Sequence, residues 1–191
     1  MDLSAQLNVF RPWNEQEERD RAAFLRLLER GELPYGREDP AHLTASAWVV
    51  SPDRTRVLLA YHNLYDSWAW LGGHADGDRD LLAVALREVR EESGLEDVRP
   101  VSPDIYSVEI LTVDGHEKRG VYVSSHLHFN VTFLLEADPA APVRRKPDEN
   151  SAVGWFALEE AIAASSEPWF RERVYSKLNG KLAGFLSTHE H

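Results

Sequence analysis

The stretch from Gly72 to Leu95, GGHADGDRDLLAVALREVREESGL, constrains the chain more than any other. Two glycines and an Asp/Gly loop lead into a helical pattern that places Leu82, Leu86 and Val89 on one apolar stripe. Glu88, Glu91 and Glu92 stand at i, i+3 and i+4 on another face, where side chains are neighbours and like charges repel. A helix needing only solubility would interleave Lys or Arg. Three carboxylates brought together suit a hard divalent cation such as magnesium, or manganese in its place, which takes oxygen ligands. Gly94 supplies the stop, because glycine adopts the left-handed conformation that closes a helix.

The stretch resembles the signature of the Nudix hydrolases (MutT-like), written G-x5-E-x7-R-E-U-x-E-E-x-G-U with U aliphatic. Gly73 matches the first glycine, and Arg87, Glu88, Val89, Glu91, Glu92, Gly94 and Leu95 match the second half without a gap. Position 79 departs, with Arg79 where the family has Glu; it puts positive charge at the positive end of the helix dipole. The resemblance implies an α+β chain of the Nudix type, an α/β/α sandwich with a mixed, curved sheet. It also implies a carbonyl ligand from the residue at Gly73, an Arg87 that holds Glu91, and a further acid from outside the signature. Glu149 is the candidate for that acid, with Asp148 and Glu117 behind it.

Length and composition fit one domain over residues 1–191, with a core at about 43–165. Hydrophobic residues make up 43% of the chain, enough for a sizeable core. The formal net charge of −11 argues against nucleic acid or an anionic membrane as partner, since both call for clustered Lys and Arg. The chain has no cysteine, which removes disulfides, thiolate zinc sites and a catalytic thiol. No basic region followed by an apolar run marks a signal peptide, and no run approaches a membrane span. A soluble, cytoplasmic protein is the expectation.

Residues 14–30 read as a helix with Asn14 as N-cap and Gly31 just past its end. Ala23, Phe24, Leu27 and Leu28 give it an apolar face, for packing across the domain or for a homodimer contact or lid. Residues 43–51 and 56–62 are β-rich runs joined by the turn Pro52-Asp53-Arg54-Thr55. A short strand at 68–71 delivers the chain to the glycines, and His74 follows them. Further strands read at 98–101, 105–113, 121–123, 125–137 and 153–156, with a short helix at 158–164. A last helix at 167–186 carries Phe170, Val174, Leu178, Leu182 and Phe185 at helical spacing.

In SHLHFNVTF the strand alternation puts His126, His128, Asn130 and Thr132 on one side. His126 and His128, with His74, are candidates to contact a phosphate or metal, because imidazole ligates when neutral and carries charge when protonated. The other reading is a half-buried strand with its polar side in water. Arg144-Arg145-Lys146, in the Pro/Ala-rich connection 138–147, is a basic cluster able to steer an anion.

These features imply a metal-dependent hydrolase acting on a small-molecule diphosphate, usually one linked to a nucleoside. Glu91, Glu92, Arg87 and Glu149 would serve catalysis and Glu88, Glu91, Glu92 and Gly73 the metal. Two rivals are an isopentenyl diphosphate isomerase-like enzyme, disfavoured by the missing cysteine, and a non-catalytic ligand sensor with a decayed site, disfavoured by the intact REVREE.

Overall fold

Capping and apolar spacing account for where the helices begin and end in this computed structural model, which describes residues 2–118 and 120–187. The elements run α1 (Leu3–Val9), α2 (Glu15–Arg30), β1 (Ala41–Val50), β2 (Arg56–His62), β3 (Ser67–Ala69), β4 (Leu71–His74) and α3 (Leu81–Ser93). There follow β5 (Val98–Pro100), β6 (Ser107–Val113), β7 (His116–Lys118), β8 (Val121–Val123), β9 (His126–Ala137) and β10 (Asn150–Ala157). The chain ends with α4 (Leu158–Ala164), a π-helical turn (Phe170–Tyr175) and α5 (Ser176–Ser187). Asn14 caps α2 by accepting from Glu17 N at 3.0 Å, and Gly31 closes it at φ 68°. The first helix is not anticipated from the sequence. Asp2 caps it through Ala5 N, and the i, i+4 pair Leu3 and Leu7 is buried.

Among the described residues eight strands form one sheet, in the order β10-β2-β1-β9-β5, with β3 on β2, β4 on β1 and β6 on β9. The β7–β8 hairpin is separate. The chain divides into two compact units woven from alternating segments.

Unit one comprises residues 1–46, 72–85 and 103–133. Here β6 pairs antiparallel with β9, Val108 opposite Val131 and Leu111 opposite His128. Helix α2 packs its buried Phe24 edge-on against Phe129, with ring centroids 4.9 Å apart. The polar side of β9 is not left in water beyond His128. Asn130 is 1% exposed and accepts from Thr44 Oγ1 (3.0 Å) and Ser46 Oγ (2.8 Å) while donating to Glu109 Oε2 (3.0 Å) and Thr132 Oγ1 (3.1 Å). A buried amide that meets all its partners fixes one arrangement of β1, β6 and β9. Gly72 in β4 lies so close to β1 that a Cβ there would sit 2.6 Å from Ala45 O and from Ser46 Cα. Glycine is required there by close approach of two backbones.

Unit two comprises residues 47–71, 86–102 and 134–191. Strands β2 and β10 pair antiparallel, with Leu59 opposite Gly154 and Val57 opposite Phe156. The expected last helix is present but interrupted. At the π-helical turn the N–H of Ser176 reaches Arg171 O, five residues back. That wide turn lets consecutive residues Val174 and Tyr175 both face inward with no exposure. Tyr175 stacks on Trp48 at 5.4 Å, and its hydroxyl accepts from Trp70 N at 3.3 Å. Leu178 and Leu182 are buried as their spacing requires; the side chain of Phe185 lies outside the described ones.

Candidate metal and catalytic sites

The signature helix is phased differently from the sequence reading. Its buried stripe is Leu81, Val84, Ala85 and Val89, while Leu82 and Leu86 are only half-buried. At 3.6 residues per turn that stripe continues onto position 92. The three acids therefore do not share one exposed face. Glu92 is 4% exposed on the core side, the Glu88 side chain stands at the edge with 15%, and that of Glu91 points outward with 47%.

Each outer acid has a cation beside it. Arg87 Nη2 donates to Glu88 Oε1 at 3.2 Å. Glu91, the partner expected for Arg87, accepts from Lys146 Nζ at 3.1 Å. The same ammonium lies 2.9 Å from Glu149 Oε2. Burial raises the Glu88 carboxyl above its ordinary value, and Arg87 only partly offsets this. Burial also works against the charge of Lys146, but its hydrogen bonds to Glu149 and Glu91 outweigh it and hold the ammonium well above its ordinary range.

Glu149 reaches Glu91 because the connection before β10 is folded onto the end of α3. Asn150 Nδ2 donates to Glu92 O at 3.0 Å and Arg144 N to Ser93 O at 2.7 Å. A tight turn, with Glu149 N and Asn150 N both bonded to Lys146 O, then aims Lys146 and Glu149 at the helix. Gly94 sits at φ 71° under Arg144, whose Cγ would lie 2.3 Å from an added Cβ. Of the basic cluster read from the sequence, Lys146 is thus an internal partner of the acids.

In unit one, Arg79 does not disturb the start of α3. Asp80 caps it by accepting from Ala83 N at 3.0 Å, and the Arg79 guanidinium lies over the Tyr35 ring, 5.3 Å from its centroid. Gly73 and His74 form the end of β4. His74, His126 and His128 do come together, and His42, which the sequence reading missed, joins them. One ligand nitrogen from each of the four lies within 4.8 Å of every other, and among the described residues this is the group so assembled. His42 is 2% exposed. Burial lowers the pKa of His42, and burial together with the neighbouring imidazoles takes His128 down to about 2. Both shifts favour the neutral form of these two rings. The alternation His42, Thr44, Ser46 mirrors His126, His128, Asn130, and that was the available signal for His42.

A strand and glycine loop feeding a helix with the REVREE run define the class as a Nudix-type hydrolase. The NUDIX domain model matches residues 40–178, and the chain belongs to the Nudix family. Its fold is α+β and of the Nudix type. No curated protein matches the chain. Among solved structures, a C. elegans Ap4A hydrolase binary complex is similar at 19% identity over 76% of this chain and 98% of that one, with a TM-score of 0.52. The E. coli dihydroneopterin triphosphate pyrophosphohydrolase is similar at 15% identity over 80% and 99%, with a TM-score of 0.53. A Nudix-family hydrolase from Clostridium perfringens follows at 19% identity over 75% and 97%, with a TM-score of 0.50. At these identities the likeness is one of fold. No helix among the described residues is long and apolar enough to cross a membrane.

Proposed function

We propose that this hydrolase cleaves a diphosphate linkage in a nucleoside diphosphate derivative or a related small molecule, with magnesium or manganese held by Glu88, Glu91 and Glu92. The observation that carries this reading is the Lys146 ammonium gripped between Glu91 and Glu149. An acid of the signature and one from outside it already share a cation there. The donor set, all carboxylate oxygen, suits a hard divalent ion, and Glu92, which lies on the core side of the helix, would have to turn toward Glu88 and Glu91 to join it. When bound, such an ion supplies neutralisation of phosphate oxygens and a more acidic water.

The chain's own residues supply the rest. Glu149 takes the proton of the attacking water as its oxygen bonds to phosphorus. The anhydride P–O bond breaks and the departing phosphate keeps the electron pair. Arg87 holds Glu88 in place. Lys146 sets the separation of Glu91 and Glu149 and stands ready to meet negative charge on the substrate. Family membership supports this reading, as do the activities named for two fold neighbours, Ap4A hydrolase and dihydroneopterin triphosphate pyrophosphohydrolase.

The test is a screen of nucleoside triphosphates, nucleotide sugars, dinucleoside polyphosphates and coenzymes with magnesium, run on the native protein and on the E91Q/E92Q double variant. Magnesium-dependent turnover of at least one compound, lost in the variant while its circular dichroism is unchanged, is the expected result. Equal phosphate release by both proteins refutes the assignment.

A further inference from the structure

We infer that His42, His74, His126 and His128 form a second metal site, distinct in chemistry from the carboxylates, that takes a borderline transition-metal ion such as Zn2+. Four imidazoles with no carboxylate among them are a poor match for magnesium and a good one for zinc, whose closed sites take four nitrogen or sulfur ligands in a tetrahedron. The nitrogens of such a site stand about 3.3 Å apart. His126 Nε2 and His128 Nε2 are 3.1 Å apart, joined by a hydrogen bond whose proton an ion would displace, and the group lies within 4.8 Å, a difference that side-chain rotation takes up.

Tautomers give the second argument. The Nδ1 atoms of His42 and His126 each face a backbone carbonyl, Asp39 O and Ser124 O, both at 2.8 Å. A carbonyl can only accept, so Nδ1 carries the proton in both rings and Nε2 is left with a lone pair. Ligating histidines are held in this way, by the ring nitrogen that does not touch the metal. His42 Nε2 is buried and has no hydrogen-bond partner. An acceptor sealed from water without a donor is costly to keep and calls for an electron-pair acceptor in its place.

The framework also suits a fixed site. His42 opens β1, His74 ends β4, and His126 and His128 open β9. The Thr44–Ser46–Asn130 network lies on the same polar side of β1 and β9 and sets their register. A bound ion would tie the loop after Gly72 and Gly73 to both strands.

The full-length protein, stripped with a chelator, would be titrated with Zn2+ and separately with Co2+, alongside H126Q and H128Q and a control with His189 and His191 changed to Gln. The expected result is one ion per chain, a rise in Tm on adding zinc, and the intense visible absorption of four-coordinate cobalt. H126Q and H128Q should each lose more than the ~10–100-fold in affinity that a lost outer-shell partner costs, with circular dichroism unchanged. E91Q/E92Q, which removes the proposed hydrolytic site, should bind zinc normally, so failure of one proposal leaves the other standing. The inference is overturned if the stripped protein takes up no zinc, if binding vanishes only in the His189/His191 control, or if cobalt gives the weak spectrum of a six-coordinate ion. It is equally overturned if inorganic phosphate binds in place of metal and is lost in H128Q.

Discussion

Lys146 to Met is the most informative single change. In the structure Nζ lies 3.1 Å from Glu91 Oε2 and 2.9 Å from Glu149 Oε2. A magnesium ion on that Glu91 oxygen, at its usual ~2.1 Å, would lie within about 5 Å of the ammonium. A single and a double positive charge at that separation repel by roughly 1.5–2 kcal/mol in water-like surroundings. Removing the ammonium therefore tightens magnesium binding about tenfold, since 1.4 kcal/mol is a factor of ~10. The stability loss is small. The paired side chains keep 26–47% of their exposure, and ion pairs of that kind contribute ~0.2–1 kcal/mol each. For a chain of this length the two pairs together correspond to a fall in Tm of about 1–8 °C. Isothermal titration with magnesium alone, without substrate, reads the affinity separately from any contact of Lys146 with phosphate. Unchanged or weaker binding in K146M would refute the claim that Glu91 is a ligand.

Two stability predictions follow from unit two and unit one. Glu136 accepts from Arg99 Nε at 3.0 Å and pairs with Arg54 at 2.5 Å; burial raises its carboxyl, but these cations prevail and leave it below its ordinary pKa. Its contribution is thus present above the ordinary carboxylate range and lost as pH falls through the lower folded value. E136Q should cost about 2–3 kcal/mol at pH 7, below the ~3–5 of a fully buried pair, and the difference in Tm from the native protein should shrink at pH 3. Gly72→Ala should cost about 1–3 kcal/mol by urea denaturation, because the new methyl meets the backbone of Ala45 and Ser46 and cannot be relieved by a rotamer change. A neutral effect there would mean that β4 and β1 are not held at that spacing.

The site was legible where chemistry is local and obscure where it depends on strand register or helix phase. The REVREE run carried the resemblance to the family, and its i, i+3, i+4 spacing singled out the candidate acids. Yet the reading chose Leu82 and Leu86 for the buried stripe, when Leu81, Val84 and Ala85 hold it. With apolar residues at 81, 82, 84, 85 and 86, the pattern admits two phases roughly one residue apart, and packing decides between them. That choice matters, because it buries Glu92 and leaves Glu91 outward. Glu149 was reachable only as a position in a loop, and the turn around Lys146 is what delivers it to the helix. His42 shows the same limit. Its alternation with Thr44 and Ser46 is present in the sequence, but nothing in one strand tells which strand lies beside it. The π-helical turn had no signal, since Phe170 to Leu182 keeps an ordinary helical spacing throughout.

The most direct test of the central claim is a crystal structure with manganese soaked in, read from its anomalous scattering. The account predicts an ion about 2.1 Å from carboxylate oxygens of Glu88, Glu91 and Glu92, with Lys146 withdrawn from Glu91. It is contradicted if those acids keep their Arg87 and Lys146 partners with no ion beside them while the same protein still hydrolyses a diphosphate.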